Sequence, residues 1–203
     1  MALQVSWSWR GSRVLRPLLK QAIRRWSGAL SGGPGLSLSV VAAPVDGVSG
    51  ALAETQVLQE DAITGLPVAA RITVDVADLP GLVVRRSARR GMTAVLRHEL
   101  AHALGFGLQW GERGLSDERG YLGGGGVREY LALGGSGDRV PLEGGSALMS
   151  RGLHWSEQRF GSELMTSGLE SWRAPLSRLT LGAMEDLGYQ VNWAAAEPYS
   201  LAG

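Results

Sequence analysis

Thr93-Ala94-Val95-Leu96-Arg97-His98-Glu99-Leu100-Ala101-His102-Ala103-Leu104-Gly105 decides how the rest of this chain folds. Val95, Leu96, Leu100, Ala103 and Leu104 recur at three- and four-residue spacing with no Pro among them, the period of a helix buried on one side. Gly105 follows the last periodic residue, where a left-handed cap commonly closes a helix. Positions four apart on a helix share a face, so His98 and His102 point the same way and can chelate one ion. Glu99 projects beside them. It can reach a water on that ion without binding the ion itself. This is the H-E-x-x-H zinc spacing, and the chemistry explains the spacing.

The chain has three His in 203 residues. Two lie in the helix and the third is His154. A catalytic zinc takes three protein ligands and keeps one position open, so the imidazoles match the demand with none left over. The competing third ligand is a carboxylate, for which Glu112, Asp117, Glu118 and Glu143 are available. No Cys is present, which excludes disulfides, thiolate metal sites and a Cys nucleophile. A hydrophobic share of 44% and a net charge of +1 describe one ordinary globular domain. Near-zero charge argues against nucleic acid as a partner. No apolar run is long enough for a transmembrane segment.

Outward from the helix, Leu3 to Trp9 alternates apolar and polar residues as a half-buried strand does. Val14 to Trp26 changes to a helical stripe, with Arg13, Arg16, Lys20, Arg24 and Arg25 on its solvated side. Pro17 is tolerated only in a first turn, so this helix starts near Arg16. Leu36–Val41, Ala51–Leu58 and Ala70–Leu79 read as three further strands. Arg85, Arg86, Arg89 and Arg90 mark the solvated approach to the His98–His102 helix. Beyond Gly107 the periodicity fades and Gly accumulates, as in loops. Gly123–Gly126 lacks the residues of a phosphate-binding loop and reads as a loop or a helix start. Val127–Leu133 is a short helix by pattern. Ser177–Leu187 is a final one, with Ser177 as N-cap and Gly188 at its end.

These residues resemble the metzincin metallopeptidases, and within them the leishmanolysin-like group. The metzincin pattern H-E-x-x-H-x-x-G-x-x-H is matched through Gly105. It departs at Leu108, where the pattern has its third His. In leishmanolysin-like proteins an insertion displaces that His, and Gly152-Leu153-His154-Trp155 looks like the place where it returns. Tyr121–Gly123 through Val140–Glu143 resembles the insertion. Ser162-Glu163-Leu164-Met165-Thr166 resembles the Met-turn, and Pro175–Thr180 with Glu185–Tyr189 resembles the last helix and its exit.

The resemblance implies an α/β (α+β) zincin-like fold. A twisted mixed sheet with the active-site helix would form an N-terminal lobe, about residues 1–106. An irregular C-terminal lobe, about 107–203, would end in a helix. Ala51–Leu58 would be the edge strand above the cleft. The implied function is a zinc-dependent endopeptidase acting on protein or peptide substrates. His98, His102 and His154 would be the Zn²⁺ ligands, Glu99 the general base, and Met165 the structural residue of the Met-turn. Two alternatives use the same residues: a non-catalytic zinc-binding adhesion or scaffold domain, and an amidase acting on a non-protein amide. The family is mostly secreted or surface-bound, while the start of this chain lacks a signal peptide's apolar core.

Overall fold

The structure is a computed structural model describing residues 2–11, 13–48, 50–78, 86–144, 152–168 and 174–201. It is a mixed α/β arrangement. Strand β1 (Val5–Arg10) leads into helix α1 (Arg16–Ala29), then β2 (Leu30–Ser31), β3 (Leu36–Ala43), β4 (Ala53–Glu60) and β5 (Pro67–Asp75). Helix α2 (Arg86–Ala103) carries the two-His motif. A short hairpin, β6 (Ser116–Asp117) and β7 (Gly120–Tyr121), precedes α3 (Gly124–Ala132). One turn of helix, α4 (Glu157–Phe160), precedes α5 (Arg178–Asp186), and β8 (Gln190–Val191) pairs antiparallel with β2.

The main sheet has the order β1-β3-β5-β4. The first three strands are parallel, and β4 runs antiparallel along one edge. The register aligns Trp7, Leu38, Ala70 and Val57 in one row and Trp9, Val40, Ile72 and Thr55 in the next. Side chains alternate between faces along a strand, so both rows share a face, and α1 and α2 cover it. Leu38, Val40, Ala70 and Ile72 are buried there, whereas Ser6, Ser8 and Arg71 on the opposite face are exposed. The second row therefore ends, at the sheet edge, in a hydroxyl aimed at the helix layer.

The strand bounds differ from the pattern-based reading for local reasons. The fourth strand opens at Pro67, since Pro is tolerated at a strand's first residue. It stops at Asp75, whose carboxylate accepts the backbone N–H groups of Asp46, Gly47 and Ala77 and turns the chain. The expected end at Leu79 lies outside the described residues, as does Arg85. The edge strand begins at Ala53, two residues later than expected, and runs to Glu60.

Helix α1 buries Leu18, Leu19, Ala22, Trp26 and Ala29, and the Trp26 indole donates to the carbonyl of Arg97 on α2 at 2.9 Å. Its polar side is basic and exposed, with Arg16 and Lys20 over the Trp7 ring. Arg89 and Arg90 are exposed on α2. Among the described residues no helix is long and apolar enough to cross a membrane.

Gly123–Gly126 opens α3. A Cβ on Gly125 would lie 2.5 Å from the carbonyl oxygen of Gly182, and one on Gly182 would lie 2.6 Å from that of Gly125. The two helices cross backbone against backbone, which only glycine permits. The Asp186 carboxylate then accepts the free N–H groups of Gly125 and Gly126 at the start of α3.

Candidate metal centre

His98 and His102 lie one turn apart on the buried face of α2, only 7% and 6% exposed. The third imidazole arrives from outside the helix. Gly107 makes that possible: its φ is +72°, and a Cβ there would lie 2.3 Å from the carbonyl oxygen of Leu153. The exit from α2 thus presses directly on the residue before His154. Aromatic rings fix the same junction. Phe106 and Trp110 stack edge-on, and both meet Trp155, with centroids 5.2 and 5.1 Å away. All three rings are fully buried, so each contributes a large apolar area to holding the two segments together.

The three Nε2 atoms form an equilateral triangle, each 3.0 Å from the other two. Among the described residues this is the one group of His and acidic side chains whose ligand atoms converge. His98 Nδ1 donates to the carbonyl of Leu164 at 2.8 Å, and His102 Nδ1 donates to that of Phe106 at 2.8 Å. A carbonyl only accepts, so both rings carry their proton on Nδ1 and present a lone pair at Nε2. Adding a second proton is disfavoured at His102. Burial holds its pKa well below the ordinary value, and the neighbouring His98 and His154 push the same way. Lone pairs that face one another in a buried site repel unless a cation lies among them. The donor set therefore fits a metal ion.

The triangle's dimensions agree. Three nitrogens 3.0 Å apart could all ligate one ion at the usual metal–imidazole distance of about 2.0–2.1 Å.

Glu99 lies in the same cavity, 7% exposed. Burial raises its pKa, and Glu54 adds to the rise, while His98 and the Thr55 hydroxyl oppose it. Thr55 Oγ1 lies 2.6 Å from Glu99 Oε2 and 3.0 Å from the Glu99 carbonyl. Sequence reasoning missed Thr55. Its role comes from the strand register, which places it at the end of a buried row, and no local pattern in Thr55–Val57 announces that. The cavity measures about 550 Å³. Ala53, Glu54 and Thr55 of the edge strand line one side, and Leu108 and Leu153 line it near the imidazoles.

The competing carboxylates stand apart from the triangle. Glu143 Oε2 accepts the N–H of Glu157 at 2.7 Å, and Asp117 pairs with Arg139 at 3.0 Å. Glu112 and Glu118 line a separate cleft beyond Leu108 and Leu153. Met165 is fully buried, and its carbonyl accepts the N–H of Trp155 at 3.0 Å. Its neighbour Leu164 supplies the acceptor for His98. The Met165 segment thus touches both ligand-bearing elements. The arrangement can hold one metal ion beside a buried carboxylate, at the mouth of a cleft edged by a strand. Comparison with known protein families and with characterised proteins gave no match to this chain.

Proposed function

We propose that the protein is a zinc-dependent endopeptidase with a metzincin-like fold of the leishmanolysin-like type. The observation that carries this reading is the 3.0 Å triangle of Nε2 atoms from His98, His102 and His154, with Glu99 in the same cavity. Three neutral imidazoles are a typical catalytic zinc set, which leaves a position for reactants. Zinc, when bound, supplies Lewis acidity, polarising a carbonyl and favouring ionisation of water near neutral pH.

The chain's own groups do the rest. Leu164 and Phe106 fix the tautomers of His98 and His102 through their carbonyls. Glu99 takes a proton from the attacking water and returns it to the leaving amine, a task suited to a carboxylate whose pKa burial has raised. Thr55 holds that carboxylate in place. Strand β4 lies at the sheet edge, so its outer backbone groups can pair with an extended peptide. Such pairing aligns a chain without requiring one sequence. Glu54 and the apolar walls of the cleft, Leu52, Val95 and Leu108, then bias which side chains fit. Buried Met165 packs and does not transfer protons.

The test pairs metal content with peptide hydrolysis. Wild-type protein should hold one zinc per chain and cleave casein, and a chelator should abolish cleavage reversibly. His154→Ala should lose zinc and activity together, while Glu143→Ala should keep zinc. Full zinc occupancy in His154→Ala would sink the ligand assignment. Stoichiometric zinc without cleavage of any protein would favour a binding domain.

A further inference from the structure

Glu163 is a fully buried carboxylate that touches neither the cleft nor any imidazole. It nevertheless accepts four hydrogen bonds. Its Oε2 takes the Met165 N–H at 2.6 Å. Its Oε1 takes the Ser177 N–H at 3.1 Å, the Ser177 hydroxyl at 2.6 Å and the Thr180 hydroxyl at 2.7 Å. The directions of the hydroxyl bonds are fixed by what each oxygen receives. The Trp155 indole N–H donates to Thr180 Oγ1 at 2.9 Å, and the Thr180 N–H approaches Ser177 Oγ at 3.4 Å. Both hydroxyl protons are therefore free to point at Glu163. Burial pushes the pKa of Glu163 up, while these donors pull the other way. A protonated carboxyl would have to turn a donor of its own against one of the four, so the hub is built for the ionised form.

The four donors lead to the ligand-bearing segments. Through Thr180 the carboxylate holds the ring of Trp155, next to His154. Through the Met165 N–H it sets the turn whose Leu164 carbonyl orients His98. Met165 closes the circuit, since its carbonyl accepts the backbone N–H of Trp155 at 3.0 Å. The Ser177 N-cap ties α5 to the same point.

We infer that Glu163 is a positioning residue for the metal centre: one buried anion sets the orientation of His98 and the placement of His154 together. This rests on the reading that the three imidazoles hold a metal. Partners one bond beyond the ligands typically tune metal affinity by 10–100-fold. Glu163 acts one step further out, through the Leu164 carbonyl and the Trp155 ring, but on two ligands at once, which keeps its effect within that range.

The experiment measures Zn²⁺ affinity by chelator competition and the visible absorption spectrum of the Co²⁺-loaded full chain, with folding followed by circular dichroism. Glu163→Gln keeps the size but replaces an accepting oxygen with an N–H₂ that opposes the donors. The folded variant should bind zinc about 10–100-fold more weakly and show a shifted cobalt spectrum. Thr180→Val cuts only the arm to Trp155 and should weaken binding about 10-fold. Glu129→Gln weakens the pairing with Arg178 that joins α3 to α5 without touching Glu163, and should lower stability while leaving affinity and spectrum unchanged. If Glu163→Gln does not fold, Thr180→Val against Glu129→Gln decides the matter. Wild-type affinity and an unshifted cobalt spectrum in Glu163→Gln, or in Thr180→Val where that variant must decide, overturn the inference and leave the metal site intact. A wild-type protein that binds neither ion overturns the site itself, and this inference with it.

Discussion

Glu99 and Glu163 are the same side chain at nearly the same depth, one 7% and the other 0% exposed. Burial pushes both upward in pKa. They differ in company. Glu99 meets one hydroxyl, Thr55, and faces a cavity of about 550 Å³. Glu163 meets four donors and does not line the cavity that holds the three imidazoles. A carboxylate with spare lone pairs and an open side can take and release a proton. One saturated by fixed donors cannot do so without breaking its surroundings. On the proposed reading, the number of donors, more than burial, separates a group suited to moving a proton from one suited to holding its neighbours in place.

The largest effect that would break this contrast lies at Glu99. Glu99→Gln should keep stoichiometric zinc and a wild-type melting temperature, and lose about 10²–10⁴-fold in kcat, the usual contribution of a positioned general base. Atomic spectroscopy and peptide hydrolysis on the same sample separate the two readouts. Loss of zinc in Glu99→Gln would mean that Glu99 is a ligand or a support, and the contrast with Glu163 would collapse.

Much of this was legible before any coordinates. The His98–His102 spacing is local, because a helix alone brings those two rings together. The α1 stripe, the Ser177 cap and the four main strands, with their ends shifted by a few residues, follow from equally local patterns. His154 was found by counting imidazoles and by its context, Leu153-His154-Trp155, and the triangle includes it. What could not be read depends on long-range register. Thr55 reaches Glu99 because it pairs with Ile72 across the sheet, and two-residue periodicity does not say which strand ends a row. The four donors to Glu163 come from three residues between 165 and 180 and meet only after α5 has docked. Gly107 looks like one more loop glycine until the Leu153 carbonyl is seen against it. Gly125 likewise needs Gly182 opposite it to make sense.

Thr55 sharpens the contrast from the other side, with a smaller expected effect. Thr55→Val keeps the shape and removes the single donor that steadies Glu99. Zinc content should not change, since the hydroxyl touches no imidazole. kcat should fall about 10-fold, in line with about 1.5 kcal/mol, the low end for a hydrogen bond to a charged group, and KM should change little. A KM effect with kcat preserved would place Thr55 in peptide binding and not in steadying the base.

The smallest effect tests the rule on a third carboxylate, away from the metal. Glu197 lies near the end of the described chain, where it accepts the Leu176 N–H at 2.8 Å and pairs with Arg25 at 2.7 Å and with Arg97. It thereby ties α1, α2 and the approach to α5 together. Burial pushes its pKa up, but the Leu176 N–H, Arg97 and Arg25 outweigh it and hold Glu197 below the ordinary 4.5. Here two of the three donors are cations, so the group stays charged and works as a clamp. The sign follows. A lowered folded-state pKa gives stabilisation that is complete above the unfolded value of 4.5 and is lost as pH falls through the folded value. The side chain is partly exposed, at 27%, which keeps its contribution to about 1 kcal/mol. At pH 7, Glu197→Gln should therefore melt about 2–4 °C below wild type. As the pH falls below 4.5 the wild-type melting temperature should drop more steeply than the variant's, and the two curves should converge once Glu197 is protonated in the folded protein. Zinc affinity should be equal in both proteins at pH 7. Melting curves that stay parallel throughout the acid range would show that Glu197 keeps its ordinary pKa in the folded protein, and that donor count does not govern this third carboxylate.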